Sequence, residues 1–383
     1  MAVRNTYSKP FEILLQNEKH MKKNKLRGIA LLLLITIGLV FFHFMASEKV
    51  AAGEETHIAA DSLTPSERKH RGAHVFSNVD TTNAAMFTRM NIEWVTFVPW
   101  GFQDDVDSPA VTHHNKDSAH IQQHNAHWVR RIEDARKEGF KVFLKPHVWV
   151  DNPSNGQWRS DIFPNNDTDW EQWKATYRNF IIRYATVAEQ AQAEMFCLGT
   201  EFTRLVLEKP EYWKQLIQEV RAVYSGKLTY AANWYEAYEK ITFWQDLDYI
   251  GIQAYFPVAP SEYPSAQAIE KGWKPYLEAM QSLATANNRN ILFTELGYKS
   301  TSDGAMTPWV WMDNPHHPDY RYSAETQVNA YHAFFNTVWD KEWFAGAHIW
   351  QMRSDYKPIQ GKEHKGFTPQ GKPAEEVIAN GFE

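Results

Sequence analysis

From residue 70 onward, short runs of apolar residues alternate with stretches in which apolar positions return every three or four residues. The first pattern predicts buried strands and the second predicts amphipathic helices. Eight such runs occur, at 73–76 (AHVF), 92–99 (IEWVTFVP), 140–148 (FKVFLKPHV), 195–199 (MFCLG), 228–232 (LTYAA), 249–255 (YIGIQAY), 291–294 (ILFT) and 345–350 (AGAHIW). Between them, a helix over 118–137 carries Ile121, Trp128, Ile132 and Ala135 on one side. Asp169 opens a long helix as its N-cap, with Trp173, Tyr177, Phe180, Ile181, Tyr184 and Val187 as its inner stripe. Pro210 opens another, with Trp213, Leu216, Ile217 and Val220 inward. A further helix carries Ile269, Trp273, Leu277, Met280 and Leu283. Ser323 caps one with Val328, Tyr331, Phe335 and Val338, and a short last helix spans 373–378.

Eight strands separated by helices, with few hairpin signals, predict the α/β class and specifically an eight-stranded parallel (β/α)8 TIM barrel. An open doubly wound sheet would show a G-x-G-x-x-G turn after an early strand, and the chain has none. No repeat of 20–50 residues and no low-complexity segment interrupts the pattern.

Before the barrel, residues 29–45 are apolar apart from Thr36, Gly38 and His43, and with their flanks they approach the roughly 20 residues that span a bilayer. Lys22, Lys23, Lys25 and Arg27 precede the run, and Glu48, Glu54 and Glu55 come after it. The positive-inside rule then puts the N-terminus in the cytoplasm and the barrel on the extracytoplasmic side. The alternative is an exported protein cut near Val50-Ala51-Ala52. The length of the run favours an uncleaved anchor. No cysteine lies directly after the run, which excludes lipid attachment there. The predicted organisation is a cytoplasmic segment 1–26, a single transmembrane helix 27–46, a polar linker 47–69 and the barrel domain 70–383.

Composition narrows the function. Of 383 residues, 43% are hydrophobic and 22% charged, which excludes a disordered chain. The single cysteine, Cys197, excludes an internal disulfide framework and a thiolate metal cluster within one chain; within an apolar strand it reads as a small buried residue. A net charge of -6 argues against nucleic acid as a partner. The chain has 16 Trp, 17 Tyr and 22 Phe, a supply of flat faces that suits either sugar rings or a core.

Chemistry in such barrels sits at the C-terminal ends of the strands. Those ends read KPHVW (145–149), GTEF (199–202), NW (233–234), QAYF (253–256), TELG (294–297) and HIW (348–350). Glu201 and Glu295 stand out, since each adjoins an apolar run and the fourth and seventh strands face one another across the mouth. Two carboxyls about 5–5.5 Å apart make a retaining glycosidase, and a wider gap makes an inverting one. Trp149, Trp158 and Trp234 fall in or near mouth loops, where they contact sugar or pack the loop. Arg159 either lines the groove or pairs with a loop acid. His113, His114, His120, His124 and His127 form a His-rich stretch; the last three fall at helical spacing, which suits either a metal site or, as the favoured reading, a solvated helix face. Trp173, Trp213 and Trp273 read as core, and Asn166-Asp167-Thr168 matches a glycosylation sequon.

The motifs GTE (199–201), YIGIQAYFP (249–257) and FTELGY (293–298) resemble the large clan of retaining (β/α)8 glycoside hydrolases. More narrowly, KPHVW (145–149), QWRSDI (157–162), FCLGTE (196–201), LTYAANW (228–234) and FWQDLDYIGIQAYFP (243–257) resemble glycoside hydrolase family 113, whose characterised members are β-1,4-mannanases; the likeness covers about residues 70–380. The resemblance implies that Glu201 is the general acid/base, Glu295 the nucleophile, Tyr255 a hydrogen-bond partner of the nucleophile, and Trp350 the floor under the reacting sugar. Much of the clan has Asn immediately before the acid/base, as a ligand for the sugar 2-hydroxyl. Here that residue is Thr200, which leaves Asn233 or His147 for the contact. The implied reaction requires no metal and no organic cofactor. The partner is a β-linked polysaccharide or oligosaccharide. A β-glucan hydrolase and a non-catalytic glycan-binding barrel are the alternatives, and the presence of both glutamates opposes the second.

Overall fold

Pro146 and Pro99 each break a run that the hydrophobic pattern reads as one strand. Proline has no N–H to give to a ladder, so pairing stops before it. In the computed structural model, which describes residues 69–113, 118–311, 321–354 and 364–383, the run 140–148 becomes two strands on either side of Lys145-Pro146. The run 92–99 likewise ends early and the chain restarts after Pro99. In chain order the elements are β1 (His70–Val75), α1 (Ala84–Thr88), β2 (Trp94–Phe97), β3 (Trp100–Gln103), α2 (Ser118–Lys137), β4 (Lys141–Leu144), β5 (His147–Val150), α3 (Asp167–Gln190), β6 (Met195–Thr200), α4 (Thr203–Glu208), α5 (Pro210–Arg221), β7 (Lys227–Asn233), β8 (Ile250–Gln253), α6 (Ala266–Asn287), β9 (Ile291–Leu296), α7 (Ala324–Phe334), β10 (Phe344–Met352) and α8 (Pro373–Gly381).

Eight of these strands close a barrel in the order β1-β2-β4-β6-β7-β8-β9-β10, with β10 returning to β1. Every pair is parallel. The two leftover pieces, β3 and β5, pair with each other in a small parallel sheet whose register runs from Trp100↔His147 to Gln103↔Val150. His147 and Trp149 therefore stand on an annex beside the barrel strands and not on a strand of the barrel.

The helix ends obey their capping chemistry. Asn166, not Asp169, is the N-cap of α3: its side chain accepts the Asp169 N–H at 3.0 Å. Pro210 opens α5 and Ser323 caps α7, as the sequence predicts. The short α4 leaves no signal in the hydrophobic pattern. The predicted inner stripes of α3 and α5 are buried throughout.

Residues 67–383 form one unit, to which all described residues belong. Lys69, the expected last linker residue, is already tied to it through Nζ bonds to the carbonyls of Lys341 (2.7 Å) and Phe344 (3.0 Å). The predicted segments 1–26 and 27–46 and the linker up to residue 68 lie outside the described residues. Among the described residues, no helix is long and apolar enough to cross a membrane.

The barrel interior is plugged below the mouth by Trp94, Phe143, Met195, Cys197, Ala231, Tyr249 and Leu292. His70 stacks on Trp94 (3.9 Å, 11°), and burial, with Lys141 nearby, pushes its pKa down to about 3. Outside the barrel, Trp213 of α5 fills the space between Tyr177, Phe202, Tyr230 and Phe243, with ring centroids 5.8, 5.8, 5.3 and 6.2 Å away. Tyr230 also accepts the Phe202 N–H at 2.8 Å, so this cluster supports the turn that carries Glu201. Trp213→Ala is expected to cost about 3–5 kcal/mol, measured by denaturant unfolding. A loss below about 1 kcal/mol would show that the layer repacks freely.

Candidate active site

Glu295 lies within β9, 3% exposed. Strict alternation from the inward Leu292 would point it outward. The β8–β9 register shifts between Ile252 and Gln253, so that Gln253 pairs with Glu295 and Thr294 is skipped. One extra residue reverses the facing of every later position in the strand. The Glu295 carboxylate then meets Lys145, whose Nζ lies 2.5 Å from Oε1, and Tyr255, whose hydroxyl donates to Oε2 at 2.6 Å. Lys145 is fully buried and also donates to Gln253 Oε1 (2.9 Å), an oxygen that takes a second bond from Thr294 Oγ1 (2.9 Å). Burial alone would raise the pKa of Glu295, but the Lys145 ammonium, with His74 and the Tyr255 hydroxyl, together outweigh it and hold the carboxyl below the ordinary value. Burial, then Glu295 itself, keeps the Tyr255 phenol protonated well above its usual range, so it remains a donor.

Glu201 directly follows β6 with φ of +61°, a left-handed conformation that an L-residue other than glycine adopts at a cost. Its N–H bonds the Ala231 carbonyl at 2.8 Å, which fixes the turn. Asn233, at the end of β7, donates to Thr203 Oγ1 (2.9 Å) and toward the Glu201 carbonyl (3.5 Å). The carboxylate accepts the Trp158 indole N–H at 3.1 Å and faces Arg159 Nε at 3.3 Å. Both come from the QWRSDI loop, whose Trp158 N–H is held by Asp161 at 3.0 Å.

Arg159 joins the two carboxylates into one site. Its guanidinium lies over the Trp158 ring at 4.5 Å and donates to His147 Nδ1 at 3.0 Å. Burial, then Lys145 and Arg159, keeps His147 uncharged. With Nδ1 accepting, the ring hydrogen sits on Nε2, which faces Glu295 Oε1 at 3.7 Å. The contacts thus run unbroken from Glu201 through Arg159 and His147 to Glu295.

The predicted residues fall into three groups. Tyr255, His147, Arg159 and Trp158 contact a carboxylate directly or through one partner; Arg159 pairs with Glu201, not with a loop acid. Thr200 and Trp350 are buried at the ends of β6 and β10, where Trp350 meets His74 edge-on at 4.9 Å, and Trp149 stands exposed beside Trp158. Trp234 is packed into the loop layer against Trp309 (5.1 Å), and Asn233 spends its amide on the Glu201 turn. Lys145, Gln253 and His74 are site residues that sequence reasoning misses. The available signal is a lysine inside an apolar run immediately before a proline. His74 donates from Nε2 to the Thr294 carbonyl at 2.8 Å, and burial, then Lys145, pushes its pKa down to about 3. Of the predicted His-rich stretch, His113, His120, His124 and His127 line a cavity with Arg183 and Trp100, and Trp100 in turn meets His147 at 5.1 Å.

A closed parallel barrel that links a glutamate just after β6 and another on β9 through Arg159 and His147 fits the class of (β/α)8 glycoside hydrolases. The sequence agrees over most of its length. The family model of Glycoside Hydrolase Family 113 matches residues 67–372, and the chain belongs to that family. Its fold is similar to that of the GH113 β-mannanase AaManA from Alicyclobacillus acidocaldarius in complex with ManMIm (26% identity, 82% of this chain and 97% of that one, TM-score 0.67). It is also similar to a complex of a GH113 β-1,4-mannanase (24% identity, 82% and 99%, TM-score 0.68). The β-glucuronidase of Ruminococcus gnavus shares the fold at 13% identity, over 82% of this chain and 50% of that one, with a TM-score of 0.53. No curated protein matches the sequence.

Proposed function

We propose that the chain is a retaining β-mannanase that hydrolyses β-1,4-linked mannan-type polysaccharides or oligosaccharides. The observation that carries the mechanism is the unequal setting of the two glutamates. Glu295 is sealed in and held as an anion by Lys145, which suits a nucleophile; Glu201 sits at the more open end beside Trp158 and Arg159, which suits proton exchange. In the first step Glu295 attacks the anomeric carbon while Glu201 gives its proton to the departing glycosidic oxygen. In the second, Glu201 takes a proton from water, the hydroxyl attacks the same carbon, and the ester bond to Glu295 breaks. Retention results from two inversions. Support for mannan comes from family membership and from the likeness to structures described as β-mannanases. The test is a panel of mannan, glucomannan, β-glucan and xylan, with the first-formed anomer monitored by NMR. Cleavage of the two mannans with a β product is expected. Activity confined to β-glucan or xylan overturns the sugar, and an α product overturns the mechanism.

Glu201→Ala is expected to cut kcat/KM on mannan by about 10²–10⁴-fold, with a much smaller loss in the first step on an aryl mannoside whose leaving group needs no proton. Equal losses on both would remove Glu201 from the acid role.

The apolar run 29–45 and its basic flank support a further part of the reading, that the barrel is held at the extracytoplasmic face of a membrane. Full-length protein should stay with the membrane after alkaline extraction; its quantitative release would oppose an anchor.

A further inference from the structure

An open cavity of about 560 Å³ is lined from β3, α2, α3 and the segment before α2. Four of its lining side chains are imidazoles (His113, His120, His124 and His127) and two are guanidiniums (Arg130 and Arg183); no carboxylate lines it among the described residues. The composition of α2 is part of the cause. From Ser118 to Ile132 it carries three histidines and two arginines and no Asp or Glu. Arg183 lies over the Tyr184 ring at 4.5 Å and donates to His113, and neither Arg183 nor Arg130 pairs with a carboxylate among the described residues. The imidazoles feel this excess of positive charge. Burial, then Arg183 and His127, holds His124 below its ordinary pKa, and burial, then Arg131 and Arg130, does the same to His127. An anion in the cavity relieves that repulsion and takes charge-assisted hydrogen bonds from several N–H groups at once.

The rest of the wall is aromatic. Trp128 is buried and meets His124 edge-on (6.1 Å, 81°), and Trp100 and Phe102 close the β3 side. A bare oxyanion needs far less room than this; the volume is that of a pocket for a small organic molecule. Aromatic faces beside cations suit a sugar ring that carries an acidic group. A metal is the other ligand that histidines suggest, but among the described residues no group of three His, Cys, Asp or Glu is placed to hold one. Trp100 also bounds the active site, where it meets His147 edge-on (5.1 Å, 80°) and lies 5.9 Å from the Arg159 guanidinium. The cavity thus backs onto the catalytic residues through one indole. None of the side chains bonded to Glu201 or Glu295 lines it.

We propose that this cavity is a second ligand site, which takes a small anionic sugar, either a sugar acid or a sugar phosphate. Arg183 and Arg130 hold the acidic group, His124 and His127 add N–H donors, and the ring lies against the aromatic wall. The site does not depend on which β-glycan the enzyme cleaves.

The test is isothermal titration calorimetry on the full chain in detergent, with glucuronate, mannose 6-phosphate, mannose and inorganic phosphate as ligands. Saturable binding of a charged sugar is expected, about 10-fold tighter than that of mannose or inorganic phosphate, and the tighter of the two charged sugars identifies the acidic group. Arg183→Met and Arg130→Gln are each expected to weaken it about 10-fold or more, the worth of a charged hydrogen bond, while glycan turnover without the ligand stays as in the wild type. Arg130 is exposed, so its variant keeps the test informative even if loss of Arg183 disturbs the packing of α3. Binding that survives in the double variant overturns the site. Inorganic phosphate bound as tightly as the charged sugars overturns it too, as does the absence of saturable binding of either charged sugar up to roughly 10 mM. Zinc bound in their place, and lost in His124→Ala, would make this a metal centre and overturn the proposal.

Discussion

Glu295→Gln is expected to lower kcat on mannan by about 10⁴-fold or more while the barrel still folds. The amide has the shape of the acid but cannot form the glycosyl ester. The substitution also carries a stability cost. Lys145 is fully buried, and Glu295 is the carboxylate it touches. Leaving that ammonium against a neutral amide is expected to cost about 3–5 kcal/mol, the usual penalty for breaking a buried pair from one side. Far-UV circular dichroism should be native, the denaturant midpoint should drop, and turnover should vanish into background. A variant that kept even a hundredth of wild-type turnover would remove Glu295 from the nucleophile role.

Lys145→Met tests the other half of the pair, and here pH is the informative variable. In the wild type, burial pushes the Glu295 pKa up, and Lys145, helped by His74 and the Tyr255 hydroxyl, brings it below the ordinary value. Without the ammonium the effect of burial prevails, so Glu295 ionises at higher pH and the acidic limb of kcat/KM moves up. At neutral pH the rate is expected to fall about 10²-fold from misplacement of the carboxylate, and further as the solution is acidified. The stability prediction has a definite sign. A carboxyl whose folded pKa is depressed stabilises the fold above its unfolded pKa, and that contribution is lost as pH falls through the folded value. The stability gap between wild type and Lys145→Met should therefore be largest at neutral pH and shrink in acid. Lys145→Arg retains the charge but overfills the site, so it should restore the limb more than the rate. An acidic limb unmoved in Lys145→Met would show that something else ionises Glu295.

Much of this molecule can be read along the chain. A barrel strand buried on both faces is a short apolar run wherever it occurs, and an inward helix stripe repeats every three or four residues. That is why all eight barrel strands, the α3 and α5 stripes and the caps at Pro210 and Ser323 emerge from local pattern. Glu201 is visible there as the acid next to an apolar run, but its aim is not: the β6–β7 register shifts between Cys197 and Thr200, and Glu201 itself turns left-handed at φ of +61°, so alternation from Met195 and Cys197 does not carry through to it.

Glu295 depended on something local pattern does not carry. Its parity points outward, and only the shifted pairing of β8 with β9 turns it toward Lys145. Register is a property of two strands together, set by what they must bury jointly. The same holds for Lys145, whose charge reads as a surface feature until Pro146 ends the strand and the barrel closes around it. His147 and Trp149 reach the cleft because the chain, once broken at that proline, found a partner in β3. Residue types and their spacing were enough for a barrel with two glutamates at its rim. Which of them is sealed, charged and aimed was decided by contacts between segments 40 to 150 residues apart, because a strand register and a buried ionic partner are set by proximity in space and leave no periodicity in the chain.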